Sequence, residues 1–102
     1  MKLAPGNRLR AAADTTQVIV VRAPDDDVDL RCGGHPMLEL SSEPPAGLTV
    51  ELAHSGGTQL GKRYVHEASG LELLCTKAGE GTLGVGAEQL ALKDTKALPS
   101  SD

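Results

Sequence analysis

The chain has 102 residues, of which 39% are hydrophobic and 1% aromatic, and its formal net charge at pH 7 is −4. This length restricts it to one small domain, or to two very small halves that share a core. The acidic balance, with no basic stripe interleaved with aromatics, argues against a nucleic-acid partner, and no apolar run is long enough to cross a membrane.

The hydrophobic core that this composition predicts is thin. Tyr64 is the single aromatic residue, so valine, leucine, isoleucine, alanine and methionine must fill the interior. A core of this kind often needs a metal, a partner or a second copy of the chain for stability. We therefore expect the partner to be another protein, or the chain itself as a homodimer. The first residues lack the apolar segment of a signal peptide, which favours a cytoplasmic location.

The first half of the chain reads as short strands separated by turns. A β-branched run predicts a strand over Gln17–Arg22, and residues 23–27 form a turn with an acidic tip. Residues 28–32 alternate apolar and polar side chains, as a half-buried strand does. A glycine turn over 33–36 leads into a further strand over 37–40, and 41–47 has the composition of a linker.

The second half repeats this pattern. Strands are predicted over 48–52, 62–67, 71–76, 82–85 and 89–93, with glycine-containing turns between them. No segment favours a helix longer than a turn or two. The chain is therefore predicted to be all-β. It forms one small antiparallel domain over 1–94, built from two β-hairpin lobes at about 14–44 and 48–94, and followed by a flexible tail over 95–102.

A glycine turn occurs twice in the sequence. Residues 30–37 read Leu-Arg-Cys-Gly-Gly-His-Pro-Met, and residues 83–90 read Leu-Gly-Val-Gly-Ala-Glu-Gln-Leu. A constant offset of 53 residues aligns the two segments without a gap, and the same offset places residues 18–21 over 71–74. Either the chain contains an internal duplication with pseudo-two-fold symmetry, or two unrelated hairpins share a pattern.

The second half carries the framework of a known family with altered ligand positions. Tyr64 is followed by His66 and Ser69, then by an apolar strand, a glycine hairpin and a Thr-Leu pair at 82–83. This order resembles the small rubredoxin and desulforedoxin type iron or zinc domains, which open with Tyr-x-Cys-x-x-Cys-Gly and close with a Cys-Gly-x-Pro-Met type turn. His66 and Ser69 stand at the first two cysteine positions, and Val85 lies where a closing cysteine belongs. The resemblance implies a zinc-ribbon or rubredoxin-like fold with a degenerate ligand set.

An intact closing turn is found in the first half, where Cys32 and His35 have the Cys-x-x-His spacing of one arm of a tetrahedral zinc site. His66 and Cys75 would complete a Cys₂His₂ set for zinc or iron. Zinc is favoured, because imidazole ligands depart from the all-thiolate iron pattern. The alternative is that Cys32 is a small buried hydrophobe and His35 a solvated turn residue.

Three functions are compatible with these features. The first is a non-catalytic accessory or protein-binding module, a metal-free degenerate rubredoxin-like fold with Tyr64, Met37 and Leu38 on its partner surface. The second is a zinc- or iron-binding metalloprotein, structural or redox-active, with its site around Cys32. The third is an enzyme in which Arg31 and the turn amides lower the pKa of a nucleophilic Cys32. No catalytic constellation in the sequence favours the third, so the first is the leading hypothesis.

Overall fold

Two antiparallel β-sheets contribute side chains to one hydrophobic core in the computed structural model, which describes residues 1–93. The prediction of an all-β fold is confirmed. Residues 94–102, and with them the tail predicted over 95–102, lie outside the described residues. Within 1–93 no helix is both long and apolar enough to cross a membrane.

The strands divide unequally between a six-stranded and a four-stranded sheet. In spatial order, the larger sheet contains β10 (Ala91–Leu92), β6 (Arg63–His66), β7 (Leu71–Lys77), β2 (Gln17–Arg22), β1 (Arg8–Arg10) and β5 (Leu38–Glu39). The smaller sheet contains β4 (His35–Pro36), β3 (Leu30–Cys32), β8 (Leu83–Val85) and β9 (Glu88–Gln89). A short 3₁₀ turn over Leu52–His54 lies between β5 and β6.

Alternation along the central strands decides which side chains enter the core. In β2, Val18 and Val20 are buried while their neighbours are partly exposed. In β7, Leu71, Leu73 and Cys75 are buried and lie on the same side. The smaller sheet supplies Leu30, Cys32 and Leu83, and the loops add further apolar side chains. The core cluster comprises Leu3, Leu9, Ala11, Val18, Val20, Val28, Leu30, Cys32, Met37, Leu71, Leu73, Leu83 and Leu90.

The hydrogen bonds of the smaller sheet repeat about an internal pseudo-two-fold axis. The Gly33 N–H donates to the Thr82 carbonyl (3.1 Å), and the Gly86 N–H donates to the Asp29 carbonyl (2.8 Å). Each of these residues lies 53 positions from its counterpart, and Arg31 pairs with Gly84 at the centre of the β3–β8 ladder. The repeated glycine turn of the sequence is therefore a symmetric structural feature.

The larger sheet follows the same axis with a different offset. Ile19 pairs with Leu74 at the centre of the β2–β7 ladder, between the Val18–Cys75 and Val20–Leu73 pairs. These pairs make residue i equivalent to residue i + 55 in this sheet. The constant offset of 53 is therefore wrong for the strands before β3, because the segment joining β2 to β3 is two residues longer than the one joining β7 to β8. Residues related in this way are called dyad equivalents below.

The halves share both sheets, since each contributes three strands to the larger sheet and two to the smaller one. Strand β1 was not predicted, because Arg8–Arg10 is short and two of its three side chains are charged. The strand predicted over 48–52 is absent from the described structure. Val50 instead packs over Gly33, whose positive φ of 67° opens the glycine turn.

Candidate functional site

Cys32 and His35, the first pair of predicted metal ligands, are cross-strand neighbours that point to different environments. They pair in register between β3 and β4. The Cys32 side chain is fully buried in the core. The His35 imidazole lies beside the loop that contains Thr49, with its Nε2 2.8 Å from the Thr49 carbonyl oxygen. The register therefore places the two residues side by side, but the thiol is enclosed in the core and the imidazole nitrogen is engaged by Thr49.

His66 and Cys75, the second pair, are also committed to other contacts. His66 Nδ1 lies 2.8 Å from Ser69 Oγ, and its Nε2 lies 2.6 Å from a Glu88 carboxylate oxygen. The buried Cys75 thiol donates to the Lys77 carbonyl at 3.2 Å. No three His, Cys, Asp or Glu side chains within residues 1–93 are arranged to hold a metal ion. The metal site at Cys32, His35, His66 and Cys75 stays a prediction that the side-chain geometry does not favour.

Of the four residues, Cys32 and Cys75 lie close enough for their charges to interact, and both are near Asp14, whereas the internal symmetry places the two histidines elsewhere. The dyad equivalents of His66 and Ser69 are Ala11 and Asp14, and the equivalent of Glu88 is His35. His35 and His66 therefore do not occupy equivalent positions, and each is hydrogen-bonded to a different segment. His66, Ser69 and Glu88 form a hydrogen-bonded group that joins the two sheets.

The environment of Cys32 makes it an unreactive thiol. Burial raises its pKa from the ordinary value of 9.0 to about 12, and the negative charge of Asp14 adds to this effect. Asp14 is fixed close by, because its carboxylate accepts hydrogen bonds from the Gly81 N–H (2.5 Å) and the Thr16 hydroxyl (3.0 Å).

The expectation that Arg31 lowers this pKa is wrong. The Arg31 guanidinium bonds to Asp29 at 2.9 Å and to the Gly34 carbonyl at 3.1 Å, away from the thiol. The sequence places Arg31 and Cys32 side by side, but the pleat of β3 sends them to opposite faces of the sheet. A nucleophilic role for Cys32 is therefore not supported by the geometry.

A cavity of about 420 Å³ lies over the smaller sheet, with Asp29, Arg31, Glu51, His54 and Glu88 among its lining residues. Its charges are largely satisfied within the chain, since Arg31 binds Asp29 and Glu88 binds His66. Glu51 and His54 have no side-chain hydrogen bond in the described chain, but no further observation points to a ligand in this cavity.

The larger sheet has a face that points away from the core, which we call the outer face. Pairing register places Ile19, Leu74, Val65 and Leu38 there, and each is partly exposed. Ile19 and Leu74 lie at the pseudo-two-fold axis, in the middle of this face. Among the described strands, β2 and β7 have their main contacts with their neighbours in the same sheet. A sheet face with a partly exposed apolar centre is a candidate contact surface.

Basic side chains surround this apolar centre. Of the nine lysine and arginine residues in 1–93, six are assigned to the outer face by pairing register or by a hydrogen bond to a residue on it: Arg8, Arg10, Arg22, Arg63, Lys77 and Lys93. The register assigns Glu72 to the same face, and Glu67 lines a shallow pocket there with Arg22, Val65 and Lys93. The face is strongly basic on a chain whose formal net charge is −4.

Glu72 is buried beneath two of these cations. Its side chain is 7% exposed, and it accepts hydrogen bonds from Lys93 Nζ at 3.1 Å and from Arg63 at 3.3 Å. Burial by itself would raise the pKa of Glu72, but the hydrogen bonds and charges of Lys93 and Arg63 outweigh it, so the pKa is lowered. Glu72 is therefore an internal anion that offsets one of the three positive charges, Arg22, Arg63 and Lys93, on its half of the outer face.

The partner surface predicted from the sequence is only partly consistent with the structure. Met37 is 2% exposed and belongs to the core, so its assignment to the surface is wrong. Tyr64 packs against the core, and its hydroxyl oxygen accepts a hydrogen bond from the Gln59 N–H at 2.8 Å. Leu38 does lie on the outer face, beside Arg10. The basic residues were missed because they are scattered along five segments of the chain and form no run in the sequence.

Comparison with known proteins adds no relative to this description. Neither protein-family models, nor curated proteins, nor solved structures give a match to the chain.

Proposed function

We propose that the protein is a non-catalytic accessory module that binds another protein through the outer face of its six-stranded sheet. The observation that carries this proposal is the partly exposed pair Ile19 and Leu74 at the centre of the face, surrounded by six cations among which Glu72 is buried. Apolar side chains at the centre of a contact surface with charged groups around them are the usual arrangement of a protein–protein interface.

A protein fits this face better than a nucleic acid does. Surfaces that bind single-stranded nucleic acids combine cations with aromatic side chains on which bases stack, whereas Tyr64, the one aromatic residue, points to the core side. The net charge of −4 also opposes the approach of a polyanion at long range. Ile19 and Leu74 can be buried against apolar side chains of a protein partner.

A non-catalytic role is consistent with the state of the two thiols and of the imidazoles of His35 and His66. Burial raises the pKa of both thiols, so Cys32 and Cys75 are protonated at neutral pH. The imidazoles of His35 and His66 are hydrogen-bonded within the chain. None of these groups faces the outer face.

Site-specific photocrosslinking in cell extract tests the proposal. Benzoylphenylalanine is placed at position 74, at position 19 in a second variant, and at the exposed position 43 as a matched control. A discrete crosslinked product from positions 74 and 19, absent from position 43, is expected. Equal labelling at all three positions, or none at any, would overturn the proposal.

Sedimentation of the purified protein over a range of concentrations separates the two kinds of partner. A product whose mass is twice that of the chain, together with concentration-dependent association, identifies a second copy. A crosslinked product whose mass differs from twice that of the chain, together with a monomer in sedimentation, identifies a different protein. Either result supports the use of the outer face as an interface.

A further inference from the structure

The two halves of the outer face are dyad equivalents with different charge. In one half, Glu72 lies between Arg63 and Lys93 and is paired in register with Arg22. In the other half, the equivalent of Glu72 is Gln17, and the equivalents of Arg63 and Arg22 are Arg8 and Lys77. Gln17 is paired in register with Lys77 as Glu72 is with Arg22.

Arg10 adds a further cation to the half without a carboxylate. It stands directly opposite Gln17 in the β1–β2 ladder, where the equivalent position in the other half is Val65. The half around Gln17 therefore contains Arg8, Arg10 and Lys77, and the register of the described strands gives it no acidic residue.

The arginines of this half have no carboxylate partner among residues 1–93. Neither Arg8 nor Arg10 forms a side-chain hydrogen bond or ion pair there, whereas the equivalent Arg63 binds Glu72. Arg10 Nε is a buried donor without any hydrogen-bond partner in the described chain. A buried donor of this kind is unusual in a folded protein, and it shows that the described chain supplies no acceptor to this guanidinium group.

We propose that Arg8 and Arg10 bind a carboxylate from an acidic segment of the partner protein, beside Gln17, whose uncharged side chain stands where Glu72 stands in the other half. This inference rests on the proposed function. The Glu72–Arg63 bond shows that a carboxylate at this register reaches the arginine on the neighbouring strand. Beside Gln17, an incoming carboxylate faces Arg10 directly and Arg8 diagonally, and both guanidinium groups can donate to it.

The neighbouring apolar residues indicate that the carboxylate belongs to a peptide segment. Leu38 lies beside Arg10, and Ile19 lies beside Arg8, so a segment that alternates acidic and apolar side chains satisfies both kinds of group. The guanidinium fork prefers planar, two-oxygen acceptors such as carboxylates. A small dicarboxylate or a nucleic acid would leave the apolar residues uncovered.

The site is tested by titrating isotopically labelled protein with a short blocked peptide that alternates glutamate and leucine. The arginine Nε–H signals and the affinity are followed by nuclear magnetic resonance. A peptide with glutamine in place of glutamate, free glutarate and a single-stranded oligonucleotide are titrated in parallel. The variants are Arg8→Gln and Gln17→Glu, with Arg31→Gln on the opposite sheet as the control that removes one positive charge.

The acidic peptide is expected to shift the Arg8 and Arg10 signals. Affinity should fall by about tenfold or more in Arg8→Gln, since one charge-assisted hydrogen bond is removed. It should fall similarly in Gln17→Glu, since an internal carboxylate then binds the arginines, and it should be unchanged in Arg31→Gln. Unmoved arginine signals, or equal affinity in Gln17→Glu and the unsubstituted protein, would overturn the site.

Stronger binding of glutarate or of the oligonucleotide at the same arginines would also overturn the assignment to a protein segment. Crosslinking from position 74 separates this inference from the proposed function. A crosslinked product that persists unchanged in the Gln17→Glu background refutes the carboxylate site and leaves the interface standing. If position 74 gives no crosslinked product in the protein without the Gln17→Glu substitution, the interface itself is refuted.

Discussion

Gln17 and Glu72 occupy equivalent positions across the internal pseudo-two-fold axis, and only Glu72 carries a charge. Each is paired in register with a basic residue, Lys77 for Gln17 and Arg22 for Glu72. Glu72 is hydrogen-bonded to Lys93 and Arg63, whereas no side-chain hydrogen bond is found for Gln17 in the described chain. This difference, together with Arg10 in place of Val65, leaves the half around Gln17 with more uncompensated positive charge than the half around Glu72.

Restoring the symmetry should stabilise the fold. In Gln17→Glu, the new carboxylate lies next to Arg8, Arg10 and Lys77, so the free energy of unfolding should rise by about 0.5–1 kcal/mol, as is usual for a partly exposed ion pair. Urea unfolding at neutral pH measures this change. Repeating it at high salt provides the control, because the gain should shrink when the charges are screened. A loss of stability would show that the basic residues are farther from position 17 than the register implies.

Removing the existing carboxylate should have the opposite effect. Glu72→Gln leaves Arg63 and Lys93 without their acceptor, and we expect the free energy of unfolding to fall by about 1–3 kcal/mol. The pKa of Glu72 is below its ordinary value of 4.5 in the folded chain, so the unfolded chain takes up a proton first as the pH falls. The stabilisation is therefore present above about pH 4.5 and is lost as the pH falls through the folded pKa.

Urea unfolding of the unsubstituted protein and of Glu72→Gln, measured from neutral pH down to about pH 3, checks this dependence. The difference between the two curves should narrow on acidification. A difference that is constant over this range would mean that Glu72 is stabilised by packing and not by its charge.

Both thiols should be slow to react in the native state. Cys32 has its pKa raised to about 12 by burial and by Asp14, and burial also raises the pKa of Cys75. A thiol reagent at neutral pH should therefore label neither cysteine until denaturant is added. Rapid labelling of one cysteine without denaturant would contradict the buried positions, and would restore the hypothesis of a thiol enzyme.

The same pKa shift predicts sensitivity to alkali. The unfolded Cys32 thiol ionises near its ordinary pKa of 9.0, whereas the folded thiol holds its proton to about 12. The unfolded state binds fewer protons between these values, so stability should fall as the pH rises above 9.0. Cys32→Ala should flatten this part of the pH profile even though it lowers stability at neutral pH. A profile unchanged by the substitution would assign the alkaline sensitivity to other groups.

Gly81 should tolerate no side chain. A Cβ there would lie 2.8 Å from the Gly33 backbone nitrogen and 2.9 Å from Cys32 Sγ. Gly81→Ala should therefore lower the free energy of unfolding by about 2 kcal/mol, since the backbone of the glycine turn must move. Gly56→Ala is the matched control, because its new Cβ would meet the Thr82 hydroxyl oxygen and no backbone atom. Equal effects in the two variants would argue against the close approach of Gly81 to the turn.

The metal hypothesis is tested by elemental analysis of protein purified under reducing conditions without a metal column. We expect no stoichiometric zinc or iron, and no change in the thermal midpoint on adding a chelator, since Cys32, His35, His66 and Cys75 have separate partners. One equivalent of metal, with a chelator-dependent loss of stability, would favour the metalloprotein instead.

The sequence by itself determined the all-β class, most of the strands and the symmetric glycine turn. These features depend on short-range patterns: alternation of side chains within a strand, and glycine at positions where the backbone must turn. The offset of 53 was recognisable around the turn because Gly33 and Gly86 both adopt positive φ there. It failed for the earlier strands, where a two-residue difference in loop length cannot be seen in weakly matched hydrophobic patterns.

Only the tertiary structure decided what surrounds each functional group. The pleat of β3 sends Cys32 into the core and Arg31 away from it, which reverses the expected direction of the cysteine pKa shift. Strand pairing likewise gathers Arg8, Lys77 and Arg63 on one face, although they are far apart in the chain. Charge interactions depend on distance in space, and that distance is fixed by which strands pair and in which register, so no local pattern in the sequence could reveal the basic face.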